Sequence, residues 1–177
     1  MFMRLPLSFA LVGILLAGCT HYIEPLGGSS AKLRFVSLPG NPTEIHALED
    51  QRCTGTLIAK LGLSVKDGAN QSRSLHMPLP ESIPRAATTE LAVRANQPLT
   101  AQFKVVSGRG PQGADWSYAA CNKSFVLTPK PDELYEAQLE QQAGGCQLNI
   151  FRITREKDGS YVRRIAPHAQ VLKARCN

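Results

Sequence analysis

The chain has 177 residues, with 20 lysines and arginines against 14 aspartates and glutamates and 43% hydrophobic residues. That length supports one domain with a core of useful size. The basic residues are scattered, so the net charge of +6 forms no nucleic-acid-binding stripe, although it suits anionic lipid head groups or acidic polymers. At the start, a single basic residue, Arg4, precedes an apolar run from Leu5 to Ala17, and small residues lead on to Cys19. This is the layout of a secretory signal peptide over residues 1–18. The run is too short to span a bilayer core of about 30 Å. Every later apolar stretch is interrupted by proline, glycine or charge.

The tetrapeptide Leu16-Ala17-Gly18-Cys19 closely resembles the lipobox of bacterial lipoproteins. The resemblance covers the first 20 residues. It implies cleavage before Cys19 and lipidation of that cysteine, with the acyl chains as the attachment to membrane. Each buried methylene of such a chain contributes about 0.8 kcal/mol. In this family an aspartate directly after the cysteine tends to retain the protein in the inner membrane. Thr20 stands there, so the resemblance implies the outer membrane of a diderm bacterium, with the domain in the periplasm. Residues 19–30 contain Pro25, Gly27, Gly28, Ser29 and Ser30 and read as a flexible tether. Residues 31–177 read as a single domain.

Four further cysteines remain: Cys53, Cys121, Cys146 and Cys176. An even number in an exported chain points to two disulfides formed in an oxidising compartment. Of the three possible pairings, the expected one joins Cys121 to Cys146 and Cys53 to Cys176. Each bridge would stabilise the fold by roughly 2–4 kcal/mol. None of the spacings matches a zinc pattern or a C-x-x-C redox pair.

Along the chain, Lys32-Leu33-Arg34-Phe35-Val36 alternates as a half-buried strand does, and Pro39-Gly40-Asn41-Pro42 ends it. Thr43 to Leu48 is a second strand with Ile45 and Ala47 on one face. Leu57 to Val65 fits a strand or a helical turn. Residues 66–88 are polar and carry Pro78, Pro80 and Pro84, a long loop with room for one edge segment. Leu91, Val93 and Ala95 share a face, and Leu99, Ala101, Phe103 and Val105 line one side of the clearest strand in the first two-thirds of the chain. A glycine-rich loop, Ser107 to Ala114, lacks the Gly-Lys-Ser/Thr ending of a phosphate cradle. Ser124 to Thr128 is a short strand stopped by Pro129. In the last third Tyr135, Ala137 and Leu139 face one way, and Glu136, Gln138 and Glu140 face the other. The apolar face of Cys146 to Arg155 shifts from Leu148 and Ile150 to Phe151 and Ile153, which suggests a β-bulge. Asp158-Gly159 marks a hairpin to Tyr161–Ala166, and Val171-Leu172 suits a last short pairing. About eight short strands and no amphipathic helix predict an all-β, antiparallel β-sandwich of immunoglobulin-like type, with a small barrel as the alternative.

No nucleophile elbow of the form Gly-x-Ser-x-Gly and no His-Glu-x-x-His arrangement occurs. Asp132-Glu133 is a consecutive pair, which a strand would point to opposite faces, so a turn accounts for it better than paired catalysis. The four histidines, His21, His46, His76 and His168, have no partner at ligand spacing. A soft copper site would require the fold to bring His46 to His76 and Met77. Arg109, Trp116 and Tyr118, in and beside the glycine-rich loop, are residue types enriched at binding hot spots. They are the expected partner-binding residues. The basic group on the last hairpin, Arg152, Arg155, Lys157, Arg163 and Arg164, reads as a solvated edge. The expectation is a non-catalytic binding or accessory protein without a cofactor. It would be held to membrane by lipid and would engage an envelope protein through sandwich loops, without nucleic acid. Attachment to peptidoglycan or another acidic polymer, and binding of a small ligand or copper, are the alternatives. Replacing Cys19 with alanine should leave an unlipidated precursor on a fatty-acid-labelling gel; normal maturation of C19A would contradict the lipobox assignment.

Overall fold

The computed structural model describes residues 24–38, 42–48, 55–61, 73–105, 121–142 and 145–172. Ten strands follow in chain order: β1 Ser30–Leu38, β2 Thr43–Leu48, β3 Gly55–Leu61, β4 Thr88–Arg94, β5 Leu99–Val105, β6 Lys123–Leu127, β7 Leu134–Gln142, β8 Gly145–Arg155, β9 Tyr161–Ile165 and β10 Ala169–Leu172. A 3-10 turn, Arg85–Ala87, leads into β4, and no α-helix occurs among the described residues. The strands form an all-β sandwich: a front sheet ordered β4-β1-β7-β8-β9 and a back sheet ordered β10-β6-β5-β2-β3. The count exceeds the expected eight because both ambiguous segments pair, β3 with β2 and β10 with β6.

All pairings are antiparallel except one. β1 runs parallel to β7, with Lys32–Leu38 beside Leu134–Glu140. Side-chain alternation is the same in either direction, so the sequence carries no sign of this pair. Alternation sends Leu33 and Phe35 of β1, Tyr135, Ala137 and Leu139 of β7, and Leu148 and Ile150 of β8 between the sheets. The back sheet answers with Ile45, Ala101, Phe103, Phe125 and Leu127. At the centre Phe35 meets Phe103 edge-on with ring centroids 5.8 Å apart, and Phe125 completes the trio at 6.3 and 6.4 Å. Such aromatic contacts add roughly 0.5–1.5 kcal/mol per pair beyond burial. The Cys121–Cys146 disulfide spans a sequence separation of 25 and joins the approach to β6 in the back sheet to β8 in the front sheet. Cys53 and Cys176 lie outside the described residues.

The β-bulge expected in β8 is absent. The β7–β8 register runs unbroken from Leu134 opposite Ile153 to Gln142 opposite Gly145. Phe151 and Ile153 instead belong to the outer face of the front sheet, and Ile153 is buried there. The apolar residues change face because both faces of β8 are covered. The irregularity lies between β2 and β3, at Ile45 and His46.

Residues 24–29, read from sequence as tether, are held against the sheet. β4 is an edge strand, so its outward N–H groups need acceptors. The Glu24 carboxylate accepts the Ala92 N–H at 3.1 Å and Arg73 at 2.6 Å, while the Ala95 N–H donates to the Ser29 carbonyl at 3.0 Å. At the other side of the sheet, the β8–β9 turn closes through Glu156 and Ser160, with Gly159 at φ 88°. A positive φ of this kind is why glycine follows Asp158.

Candidate functional site

The outer face of the front sheet has a strongly charged residue, Arg34, in the middle of β1. Pairing places Glu90 of β4 on one side of it and Glu136 of β7 on the other. Arg34 Nε and Nη2 donate to Glu90 Oε1 at 3.0 and 2.8 Å, and Nη1 donates to Glu136 Oε2 at 3.0 Å. Glu136 Oε1 in turn accepts Arg163 Nη1 of β9 at 2.6 Å. Arg163 also donates to Gln138 at 3.0 Å and lies 5.1 Å from the centre of the Phe151 ring. Two arginines and two glutamates thus alternate across the sheet. Arg34 and Glu136 are wholly shielded from solvent.

That shielding comes from residues 73–84, which cross the outer face as a strap. Prolines 78, 80 and 84 cannot donate to a strand ladder, so the strap is fixed by other groups. Glu90 Oε2 accepts the backbone N–H groups of Leu75 and Met77, at 2.5 and 3.2 Å. His76 between them sits at φ 58°, which turns both donors toward the one carboxylate. The Pro78 carbonyl accepts Arg34 Nη1 at 2.7 Å, the Leu75 carbonyl accepts Lys32 Nζ at 3.0 Å, and the Glu90 N–H donates to the Arg73 carbonyl at 2.9 Å. Met77, Ile83, Val36 and Ile153 are buried beside this network. Burial pushes the Glu90 pKa up, but the hydrogen bonds from Arg34 and from the Met77 and Leu75 amides, with the guanidinium charge, outweigh it. The net effect holds this carboxyl below its ordinary value of 4.5. Its stabilisation is therefore present above that pH and is lost as pH falls through the depressed folded value.

The strap leaves an open cleft of about 260 Å³ between itself and the β8–β9 hairpin, lined by Pro78, Leu79, Pro80, Ile153, Tyr161 and Arg163. A second cleft of about 360 Å³ lies at one end of the sandwich, among Asn96, Thr128, Pro129, Lys130 and His168. Near it Tyr135 ties down a turn: its hydroxyl accepts the Lys130 N–H at 3.1 Å and donates to Glu133, which also pairs with Arg152 at 3.3 Å. Burial, then the bond to Glu133, raises the Tyr135 pKa to about 12. The hydroxyl stays protonated at neutral pH and acts as a structural tie.

The expected partner-binding residues Arg109, Trp116 and Tyr118 lie outside the described residues, as does Cys19. Among the described residues the histidines are not gathered. His46 belongs to the back sheet and bonds Glu44 at 3.2 Å, while His76 and Met77 belong to the strap over the front sheet. Asp132, at φ 60°, is a turn residue, as the sequence suggested. Sequence reasoning missed the Arg34–Glu90–Glu136 group, because alternating charges look like a solvated face. The available signal was apolar: Val36, Phe151 and Ile153 fall on that same face, which would be unfavourable if it were open to water. The five basic residues of the last hairpin divide in use. Arg152, Arg163 and Arg164 pair with Glu133, Glu136 and Glu156, and Arg155 lies 6.0 Å from the Tyr161 ring.

No protein-family model matches the chain, and a search of curated proteins finds no match either.

Arg34→Met should lower the unfolding free energy at neutral pH by about 3–5 kcal/mol, since it leaves the buried Glu90 carboxylate without a charge partner and Glu136 with Arg163 alone. The deficit should shrink below pH 4.5 as Glu90 takes up a proton. Urea unfolding of both proteins across this pH range measures it; a small or pH-independent deficit would contradict the network.

Proposed function

We propose that this protein is a lipid-anchored accessory protein of the bacterial envelope. It is non-catalytic, attached through Cys19 to the outer membrane, with its domain in the periplasm. It engages another envelope protein through its sandwich loops. The observation that carries this reading is the Leu16-Ala17-Gly18-Cys19 sequence after a short apolar run, followed by Thr20. The Cys121–Cys146 bridge supports it, because disulfides persist in oxidising compartments such as the periplasm. The loop from Gly108 to Tyr118 supplies Arg109, Trp116 and Tyr118 beside glycines, a composition suited to a binding hot spot on a rigid scaffold. An immunoglobulin-like character of the sandwich belongs to the same proposal, supported by the disulfide between its two sheets.

A second reading rests on the net charge of +6: attachment to peptidoglycan or another acidic polymer by a salt-sensitive contact. Cross-linking in cells, followed by purification of the lipidated protein, separates the two. The proposal expects one dominant protein partner whose recovery falls at least about tenfold on Trp116→Ala, as for a hot-spot residue. Recovery of cell-wall fragments alone, released by salt, would overturn it in favour of the second reading.

A further inference from the structure

The two edges of the front sheet are treated differently. The β4 edge is occupied by Glu24 and by the strap, which satisfy Ala92 and Glu90. At the opposite edge, no described strand pairs with the outer side of β9. The direction of its backbone groups follows from two bonds that flank it: Glu156 N–H to the Ser160 carbonyl and Ala166 N–H to the Ile150 carbonyl. In an antiparallel ladder hydrogen-bonded residues alternate. Val162 and Arg164 therefore turn their N–H and C=O groups toward β8. Tyr161, Arg163 and Ile165 turn theirs to the open side.

Side chains of those same three residues lie on the outer face, beside the cleft under Pro78–Pro80. Tyr161 is 47% and Ile165 66% exposed, an apolar pair rarely left on an unguarded edge. Arg163 does not guard it, because Glu136 and Gln138 draw its guanidinium back over Phe151. On the opposite face Arg164 stands exposed beside Glu156, while Arg155 lies on the outer face next to Tyr161. A second copy fits poorly. Antiparallel pairing of two β9 strands through Arg163 would set that residue opposite itself, and like charges facing each other across a ladder are destabilising.

We propose that the free edge of β9 is a strand-addition site for an extended segment of a partner protein that alternates apolar and acidic residues. The apolar residues would pack over Tyr161, Ile165 and the strap-side cleft, and the acidic ones would lie beside Arg164. Main-chain bonds to Tyr161, Arg163 and Ile165 supply the affinity, and the alternating side chains supply the selectivity. This site uses none of the residues around Trp116 and needs no lipid, so it stands or falls independently of the loop-mediated reading.

The test uses the full-length chain in detergent and a fluorescein-labelled, end-blocked peptide of roughly ten residues that alternates valine and glutamate, long enough to cover β9. Controls are a peptide of the same composition with the valines and glutamates in separate blocks, and one alternating valine with lysine. Fluorescence anisotropy should show the alternating acidic peptide binding at least about tenfold more tightly than either control. Ile165→Pro removes an outward N–H that the fold does not use. It should weaken binding about tenfold with thermal unfolding little changed. Arg164→Glu should shift the preference to the lysine peptide, and this carries the test if the proline variant fails to fold. The proposal is overturned if none of the peptides binds, if all three bind alike, if folded I165P binds as the unaltered chain does, or if β9 proves to be the interface of a dimer.

Discussion

One carboxylate, that of Glu90, determines much of what covers the front sheet. It lies at the junction of three demands. Arg34 must have its charge balanced after complete removal from water. The proline-rich strap must find acceptors for N–H groups that no strand ladder can serve. The edge strand β4 must not be left open. Glu90 meets the first two with its two oxygens, one toward Arg34 and one toward Leu75 and Met77, while its own N–H binds the strap at the Arg73 carbonyl. A buried ion pair is seldom more stabilising than well-packed apolar residues of the same size, but losing one member is costly. The network therefore matters chiefly for position. It specifies where the strap lies, and through Glu136 and Arg163 it fixes one wall of the cleft beside β9.

The sandwich itself was legible because its core obeys the period of two. Phe35, Phe103, Tyr135, Ala137 and Leu139 each fall where alternation puts them, and β2 and β5 keep the ends read from the sequence. What alternation hides is anything it cannot encode. It is blind to strand direction, so the parallel β1–β7 pair gave no sign. It assigns charged positions to solvent, so Arg34 and Glu136 looked exposed although both are shielded. It treats an apolar run on the wrong face as a bulge, whereas Phe151 and Ile153 were reporting a third layer. Proline-rich segments are read as loops for the sound reason that they cannot join a ladder, and residues 73–84 indeed do not. They are fixed over the sheet by contacts more than ten residues away in sequence, such as that of Met77 with Glu90 and Pro78 with Arg34.

The candidate binding features were legible to different degrees. Residue type alone singled out Arg109, Trp116 and Tyr118. The β9 edge needed pairing order and hydrogen-bond phase, neither of which sequence supplies. The basic hairpin read from sequence as a uniform solvated group separates in the structure into arginines engaged by Glu133 and Glu136 and the more exposed Arg164. The sheet thus has one edge closed by its own chain and one edge bordered by an apolar pair and a basic side chain. That asymmetry is the basis of the proposed strand addition at β9.

The central claim is that the strap is an integral outer layer pinned by the Glu90 carboxylate. Native-state amide hydrogen exchange tests it most directly at the Leu75 and Met77 N–H groups. The account predicts protection of both amides comparable to that of β1 amides at Leu33 and Phe35, falling sharply in Glu90→Ala while β1 remains protected. Exchange of Leu75 and Met77 near free-peptide rates in the unaltered protein, beside a protected β1, would contradict it.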